Sequence, residues 1–328
     1  MKARHALITR TGGPEVIEWH DIDLPAPAAG EVLVEHTAVG LNFIDTYFRR
    51  GIYPMELPGA LGVEAAGRVL AIGAGVTTLA PGDRVATFGP GRGAYATARN
   101  YPAAVLFKLP DAIDDATAAA ALLKGCTVEF LVERCGKVQP GWPVLVHAAA
   151  GGVGLLLVQW LKHVGATVIG TVSTEAKAEL ARAAGADHVI DYSHEDVAAR
   201  VRELTGGAGV RATFDGIGMA TWEASLKSTG KRGLVISYGN ADAPVTGVSL
   251  SVLASAGSLF TTRPTLFDYY ADPAERTAGA ARVWDMIASG KVKVTIGQTY
   301  ALEDVAQAHA DLQARKTSGS TVLVPAAV

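Results

Sequence analysis

VLVHAAAGGVG (144–154) runs from a short apolar strand into a glycine-rich turn, and VGLLLVQWLKHVG (153–165) continues as a helix closed by glycine. Ala149, Gly151 and Gly154 stand at the three glycine places of the G-x-G-x-x-G dinucleotide fingerprint. At the second place, Gly151 lets the backbone approach a pyrophosphate. At the third, Gly154 lets helix and strand pack closely. The first N–H groups of the helix, at the positive end of its dipole, then hold the phosphates. Glycine-rich turns are common, so the flanking sequence has to decide.

Downstream, the chain alternates strictly. ATVIGTV (166–172), HVIDY (188–192), ATFDGIG (212–218), RGLVISYG (232–239) and SLFTT (258–262) read as strands. TEAKAELARAAGA (174–186) and HEDVAARVRELTGG (194–207) read as helices between them. Continuous apolar strands separated by helices imply a parallel sheet covered on both faces. The expectation is an α/β fold with a doubly wound, six-stranded parallel sheet over 125–265.

Upstream, residues 1–124 are β-rich and punctuated by glycine and proline, as in EVLVEHTAVG (31–40), AAGRVLAIGAG (65–75) and DRVATFG (83–89). DDATAAAALLKGCTVEFLVER (114–134) reads as a helix pair interrupted at Gly125. After 265 come a helix at 274–290, a strand-like KVTIGQTYAL, a helix at 303–315 and a final STVLVP. This tail is too small to fold alone. It is expected to pack on the N-terminal region, giving one domain of 1–124 with 266–328 and a second of 125–265.

With 328 residues, two domains are the natural expectation. A net charge of −3 and a pI near 6.2 argue against a nucleic-acid or membrane surface as the main partner. MKARHALITRTGG lacks the apolar stretch of a signal peptide, and two cysteines, Cys126 and Cys135, suit a reduced, cytoplasmic compartment.

NAD-selective sites place an acid at the end of the second strand, where it binds the ribose 2′-hydroxyl. Here that strand ends at Val172, followed by Ser173 and Thr174. Lys177 falls in the first turn of the next helix, where a cation opposes the dipole unless an anion lies nearby. Together these favour NADPH. Glu175 is the objection, and it reads as a residue favoured by the helix dipole.

AVGLNFIDTYFRRGIYP (38–54), LGVEAAG (61–67) and HAAAGGVG resemble the quinone oxidoreductase (zeta-crystallin-like) family of the medium-chain dehydrogenase/reductase superfamily. The resemblance runs the full length, through KGCTVEFLV, GTVSTEAKA, SYGN, TTRPTL and RKTSGS. The longer signature G-x₃-L-x₃-A-A-G-G-V-G-x₄-Q-x₂-K is present from Gly141 to Lys162, with Trp142 where a polar residue is usual. It implies a GroES-like, partly open β-barrel with an inserted Rossmann domain, an active cleft at their junction, NADPH as cofactor, and a homodimer paired through the edge strand near 257–262. Zinc members carry cysteine at Asn42 and a His-Glu pair at Val63-Glu64. Glu64 alone is a poor zinc site, and no catalytic metal is expected. His5, His20 and His36 read as surface or satisfied structural residues.

By the same resemblance, Asn42, Tyr47, Tyr53 and Thr127 line the cleft, with amide and hydroxyl donors that hold a quinone oxygen as charge develops on it. Asn42, Tyr47 and Thr127 also approach the cofactor. Gly151, Gly152, Val153, Ser173, Lys177, Tyr192, Tyr238, Gly239, Asn240 and Arg315 carry over as cofactor contacts. Asp45 reads as a capping residue. Three activities fit this reading: an NADPH:quinone oxidoreductase, a reductase of α,β-unsaturated aldehydes or ketones, and a non-catalytic NADPH-binding protein with a structural or RNA-binding role.

Overall fold

The computed structural model describes residues 1–89 and 91–326. It divides into two compact units, Met1–Lys124 with Val294–Val328, and Gly125–Lys293.

The second unit is built on a six-stranded sheet in which every pairing is parallel. Its strands, from one edge to the other, are His188–Asp191, Thr167–Val172, Pro143–Val146, Val210–Asp215, Thr229–Ser237 and Phe260–Thr262. In chain order this is 3-2-1-4-5-6, the doubly wound order, with its reversal between Pro143–Val146 and Val210–Asp215. The central strand explains its own placement, because Val144, Leu145 and Val146 are all fully buried. A strand apolar on both faces needs helices on both sides.

Two expectations are corrected here. The segment 266–293 belongs to the second unit rather than to the N-terminal domain. Its helix, Pro273–Ala288, buries Ala280, Val283, Trp284 and Met286 there, and Arg282 pairs with Glu133 at 3.1 Å. Gly125 does not interrupt a helix pair, since one helix runs through it over Asp115–Glu129 and continues as a π-helical turn, Phe130–Cys135. A Cβ on Gly125 would lie 2.5 Å from Val283 Cγ1, so this glycine serves close packing.

The first unit is the GroES-like one. A seven-stranded sheet is formed by Ile296–Ala301, Ser320–Val324, Glu31–Leu41, Glu64–Ile72, Arg84–Phe88 and Leu106–Lys108, with Ala98–Pro102 paired to Glu31–Leu41. A smaller sheet joins Glu18–Asp23, Lys2–Ile8 and Gly59–Ala60. The core cluster of Ile8, Val39, Leu41, Leu61, Tyr95, Leu302, Val305 and Leu323 draws on both ends of the chain.

Two buried imidazoles in this unit set a pH expectation. His36 donates from Nδ1 to the Ala96 carbonyl (2.7 Å) and accepts the Tyr101 hydroxyl at Nε2 (2.8 Å). Burial holds its pKa down to about 4. His309 accepts from Arg49 at Nδ1 (3.0 Å), and burial with that guanidinium holds it at about 3. Unfolded imidazole titrates near ~6.5. Both contributions to stability are therefore full above that pH and are lost as the pH falls toward the folded values, because the unfolded chain takes up protons the fold refuses. Asp45 slopes the other way, since burial raises it to about 7 and the fold keeps a proton that the unfolded chain releases. Two imidazole shifts exceed one carboxyl shift. The melting temperature should fall between about pH 7 and pH 4.5, and His36→Gln should make that slope shallower. A profile that rises toward acid would contradict this account.

Candidate active site

In the second unit the C-terminal ends of the strands bring most of the expected residues to one edge of the sheet. The helix Gly152–Val164 starts there, with Gly151 as its N-cap. No side chain caps it and no acidic residue occupies its first turn. Its leading N–H groups therefore have neither an intrahelical partner nor a competing carboxylate, as an anion site requires. The turn before it is tight: Ala148 has φ +52°, and Gly151 N donates to the Ala148 carbonyl at 2.9 Å. A Cβ on Gly154 would lie 2.2 Å from that same carbonyl oxygen and 2.8 Å from Ala149 C. On Gly151 a Cβ would meet only Ala148 O, at 3.3 Å. One glycine serves packing and the other leaves space.

Ser173 follows the strand Thr167–Val172, whose Val172 is in register with Asp191. Tyr192 therefore stands beside Ser173 at the end of the neighbouring strand, 42% exposed and with its ring available to a ligand. Thr174 caps the next helix by accepting from Lys177 N (3.3 Å), which sets the half-buried Lys177 in the first turn. The Glu175 carboxylate points down that helix to Arg182, 2.5 Å away. Asp191 is likewise occupied, accepting from Ser193 N at 2.9 Å. Each acid already holds one partner, and neither stands at the position directly after the second strand, which is Ser173.

The next two strands end in facing loops. Tyr238 N donates to the Asp215 carbonyl at 2.8 Å. A Cβ on Gly239 would come 2.3 Å from the Gly216 carbonyl, and one on Gly216 would strike the Tyr238 ring at 2.9 Å. The loops touch only because both residues are glycine. Asn240 is buried and orients its amide so that the oxygen accepts from Arg263 Nη2 at 3.2 Å.

Beneath this edge lies a polar cluster that the sequence reading missed. The Asp215 carboxylate accepts from Ile217 N, Gly218 N, Thr221 Oγ1 and Ser225 Oγ, the last at 2.6 Å. With the Ser225 proton committed to Asp215, His147 Nε2 donates to Ser225 Oγ (3.1 Å), and His147 Nδ1 accepts from Thr171 Oγ1 (3.2 Å). Burial lowers the His147 pKa and keeps the ring neutral. This braces the first, second and fourth strands under the phosphate loop. The only signals in the sequence were a histidine inside VLVHAA and an aspartate inside FDGIG.

In the first unit, Asn42, Tyr47 and Tyr53 come together on the helix Phe43–Arg50 and the turn after it. Asn42 is the N-cap, and Asp45 Oδ2 accepts its backbone N–H at 2.9 Å, as a capping residue should. Tyr47 and Tyr53 pack edge to face with centroids 5.3 Å apart, and Phe48 packs on Tyr53 at 5.7 Å. The Asn42 amide differs from the expectation of a donor, because Nδ2 is spent on Glu64 Oε2 at 2.8 Å. Thr127 lies half-buried on the helix Asp115–Glu129 of the second unit, and Arg315 is exposed in the first, left-handed (φ +59°) after the helix Val305–Gln313.

The zinc ligand positions hold Asn42 and Val63, and the remaining acid, Glu64, is saturated by donors: Leu123 N (2.7 Å), Asn42 Nδ2 (2.8 Å) and Lys124 Nζ (3.3 Å). That donor set does not fit zinc, which wants thiolate or imidazole partners. Among the described residues no group of three or more His, Cys, Asp or Glu is placed to hold a metal.

Residues 152–290 match the zinc-binding dehydrogenase family, and residues 28–111 match the alcohol dehydrogenase GroES-like domain. A quinone oxidoreductase of Pseudomonas aeruginosa is 48% identical, over 96% of this chain and 97% of its own length. This chain belongs to the quinone oxidoreductase family. Within the medium-chain dehydrogenase/reductase superfamily it also resembles a 2-haloacrylate reductase of a Burkholderia species, 43% identical over 98% of this chain and 99% of that one. The crystal structure of Escherichia coli quinone oxidoreductase complexed with NADPH superposes with a TM-score of 0.96 at 44% identity, covering 98% of this chain and all of that one.

Proposed function

We propose that this protein is an NADPH-dependent quinone oxidoreductase. The observation that carries the reading is the uncapped helix N-terminus at Gly152 beside a second strand, Thr167–Val172, that is followed by Ser173 instead of an acid. The phosphates fit the N–H groups of Gly152 and Val153, over Gly151. The 2′-phosphate fits Ser173, Lys177 and Tyr192, and the residues Tyr238, Gly239 and Asn240 support the nicotinamide half. Arg315 serves the adenine end.

Bound NADPH supplies the hydride, and the protein's work is to hold and polarise. Tyr47 and Tyr53 donate toward the acceptor's oxygen, with Thr127 beside the cofactor. Asn42, the N-cap of the helix that carries Tyr47, belongs to the same site. The names of the relatives support a quinone as the acceptor. The likeness to a 2-haloacrylate reductase favours a second reading, hydride delivery to the carbon of an activated alkene.

Loss of NADPH absorbance, followed with 1,4-benzoquinone and separately with a 2-alkenal, each with and without EDTA, tests the proposal. Fast oxidation with the quinone, insensitive to EDTA, is expected. Preference for the alkenal would make this an enone reductase, and no oxidation with either would remove both readings.

No helix among the described residues is long and apolar enough to cross a membrane. A cytoplasmic location fits Cys126 and Cys135, neither of which forms a disulfide. Assembly as a homodimer through Phe260–Thr262 fits an edge strand whose Phe260 is 63% exposed, with Leu250 nearby in sequence at 78%. Light scattering at the mass of one chain would end that proposal.

A further inference from the structure

Arg49 is only 1% exposed, yet it forms no ion pair with an aspartate or glutamate among the described residues. Its acceptors are neutral. Nε donates to the Gly12 carbonyl at 3.1 Å, Nη1 to His309 Nδ1 at 3.0 Å, and Nη2 to Gln313 Oε1. The carboxylate that ends this network, Asp45, is reached only through two neutral groups. His309 Nε2 donates to Tyr95 Oη at 2.9 Å, and Tyr95 donates to Asp45 Oδ2 at 2.8 Å. Buried charges are ordinarily paired. Here burial, the largest influence, and the charge of Arg50 both press the Arg49 guanidinium below the usual arginine pKa.

This uncompensated cation lies beside open space. Gly12, Gly13, Pro14, Arg49, Arg50 and Gln313 line a cavity of about 300 Å³, and Gly12 and Gln313 are the residues that the Arg49 fork bonds on two sides. Arg50 adds a second, exposed cation, also without an ion pair among the described residues. Both arginines stand in the last turn of the helix Phe43–Arg50, where the dipole favours positive charge. That accounts for cations at this helix end, but not for burying one of them among neutral acceptors. Across the cavity's loop, Glu15 Oε1 accepts from Gly13 N at 3.0 Å, and a Cβ on Gly13 would lie 2.2 Å from Glu15 Oε2. The glycine makes room for an acid that folds back on the loop. Its field favours the charged form of Arg49 without closing an ion pair.

We propose that this cavity binds the phosphate group of a small phosphomonoester, with Arg50 in contact with the dianion and the buried Arg49 charge behind it. Two guanidinium groups match a dianion rather than a monocarboxylate, and their planar forks suit phosphate oxygens. The cavity stands at the lower end of the size range of small-molecule sites, with more room than inorganic phosphate alone would fill. Glu15 is a like charge at the loop and opposes the ligand. All of these residues belong to the first unit, so the site does not depend on the proposed cofactor or activity.

The test is isothermal titration calorimetry of the full-length protein at about pH 8, where phosphate is dianionic, and at constant ionic strength. Glycerol 3-phosphate, inorganic phosphate and acetate are the titrants, each without and with saturating NADPH. The ester should bind with a Kd of about 1 mM or tighter, inorganic phosphate no more tightly, and acetate at least about tenfold more weakly. Arg50→Gln should weaken the ester about tenfold or more, the scale of one charge-assisted hydrogen bond. Glu15→Gln keeps an acceptor for Gly13 N but removes the like charge, and should tighten the ester about threefold. Both substitutions fall on exposed side chains, and melting temperatures without ligand should match the wild type. Unchanged affinity in either variant overturns the site, as does acetate binding as tightly as the phosphates. A signal that NADPH abolishes belongs to the nucleotide loop and overturns it as well. Binding of inorganic phosphate with exclusion of the ester would overturn the assignment to a phosphomonoester.

Discussion

Gly154→Ala is expected to lose thermal stability and NADPH affinity together, whereas Gly151→Ala loses affinity alone. The added methyl at Gly154 would sit 2.2 Å from the Ala148 carbonyl and 2.8 Å from Ala149 C. Both obstacles are backbone, so no rotamer change relieves them, and the helix Gly152–Val164 must retreat from its strand. Overpacking of this kind costs about 1–3 kcal/mol. The retreat also carries the leading N–H groups away from the phosphates, and charge-assisted hydrogen bonds are worth about 1.5–3 kcal/mol each. Loss of one or two weakens NADPH by about 10²-fold or more. At Gly151 the same methyl meets only Ala148 O at 3.3 Å, so the fold survives while the methyl occupies space needed by the pyrophosphate. Fluorescence titration of NADPH paired with thermal melts separates the outcomes. Wild-type affinity in a correctly folded Gly151→Ala protein would remove this loop from the cofactor site.

Lys177→Glu should reverse the choice between the two nicotinamide cofactors. Lys177 stands in the first turn of its helix, half-buried, and its backbone N–H is held by the Thr174 cap. A cation there opposes the helix dipole, whereas a glutamate is favoured by it, so the substitution does not threaten the helix. Replacing attraction for the 2′-phosphate by repulsion removes an interaction of about 1.5–3 kcal/mol and adds an unfavourable one. kcat/KM with NADPH should fall by about 10²-fold at low salt, and the gap should narrow as salt screens the pair. NADH, which lacks that phosphate, should change little or improve. The readout is the ratio of the two values of kcat/KM, and an unchanged ratio would refute the selectivity account.

The second unit was the more legible of the two because its elements are regular and its signals local. Six strands were readable as short apolar runs, since strands buried on both faces carry no polar punctuation until they end. The helix Met219–Ser228 went unread, because TWEASLKS has a weak apolar stripe and follows the irregular turn at Gly216–Gly218. Gly125 misled for a different reason. Glycine lowers helix propensity wherever it falls, and only the tertiary contact with Val283 explains its presence inside a continuous helix.

In the site, residues tied to backbone geometry, such as Gly151 and Gly154, were legible, and so was the missing acid after Val172. What stayed hidden was the partnership of side chains far apart in sequence. Glu64 with Lys124, His147 with Ser225, and Arg49 with His309 are pairs made by the fold. No local pattern announces them.

The way the first unit is assembled from both ends of the chain has a bearing on synthesis. Its sheet closes when Ser320–Val324 pairs with Glu31–Leu41, and its core includes Leu302, Val305 and Leu323. The opening 124 residues leave the ribosome without these partners, while Gly125–Lys293 contains all the strands of its own sheet. At about 5–20 residues per second, the early strands wait on the order of 10–40 seconds for the pieces that complete them. During that interval only the end of the strand Glu31–Leu41, Val39–Leu41, lacks its later partner on one side, because Glu31–Glu35 already pairs with Ala98–Pro102. A short unpaired edge of this kind can associate with other nascent chains. The nucleotide-binding half can reach its final form first, and the half that begins the polypeptide is the last to be finished.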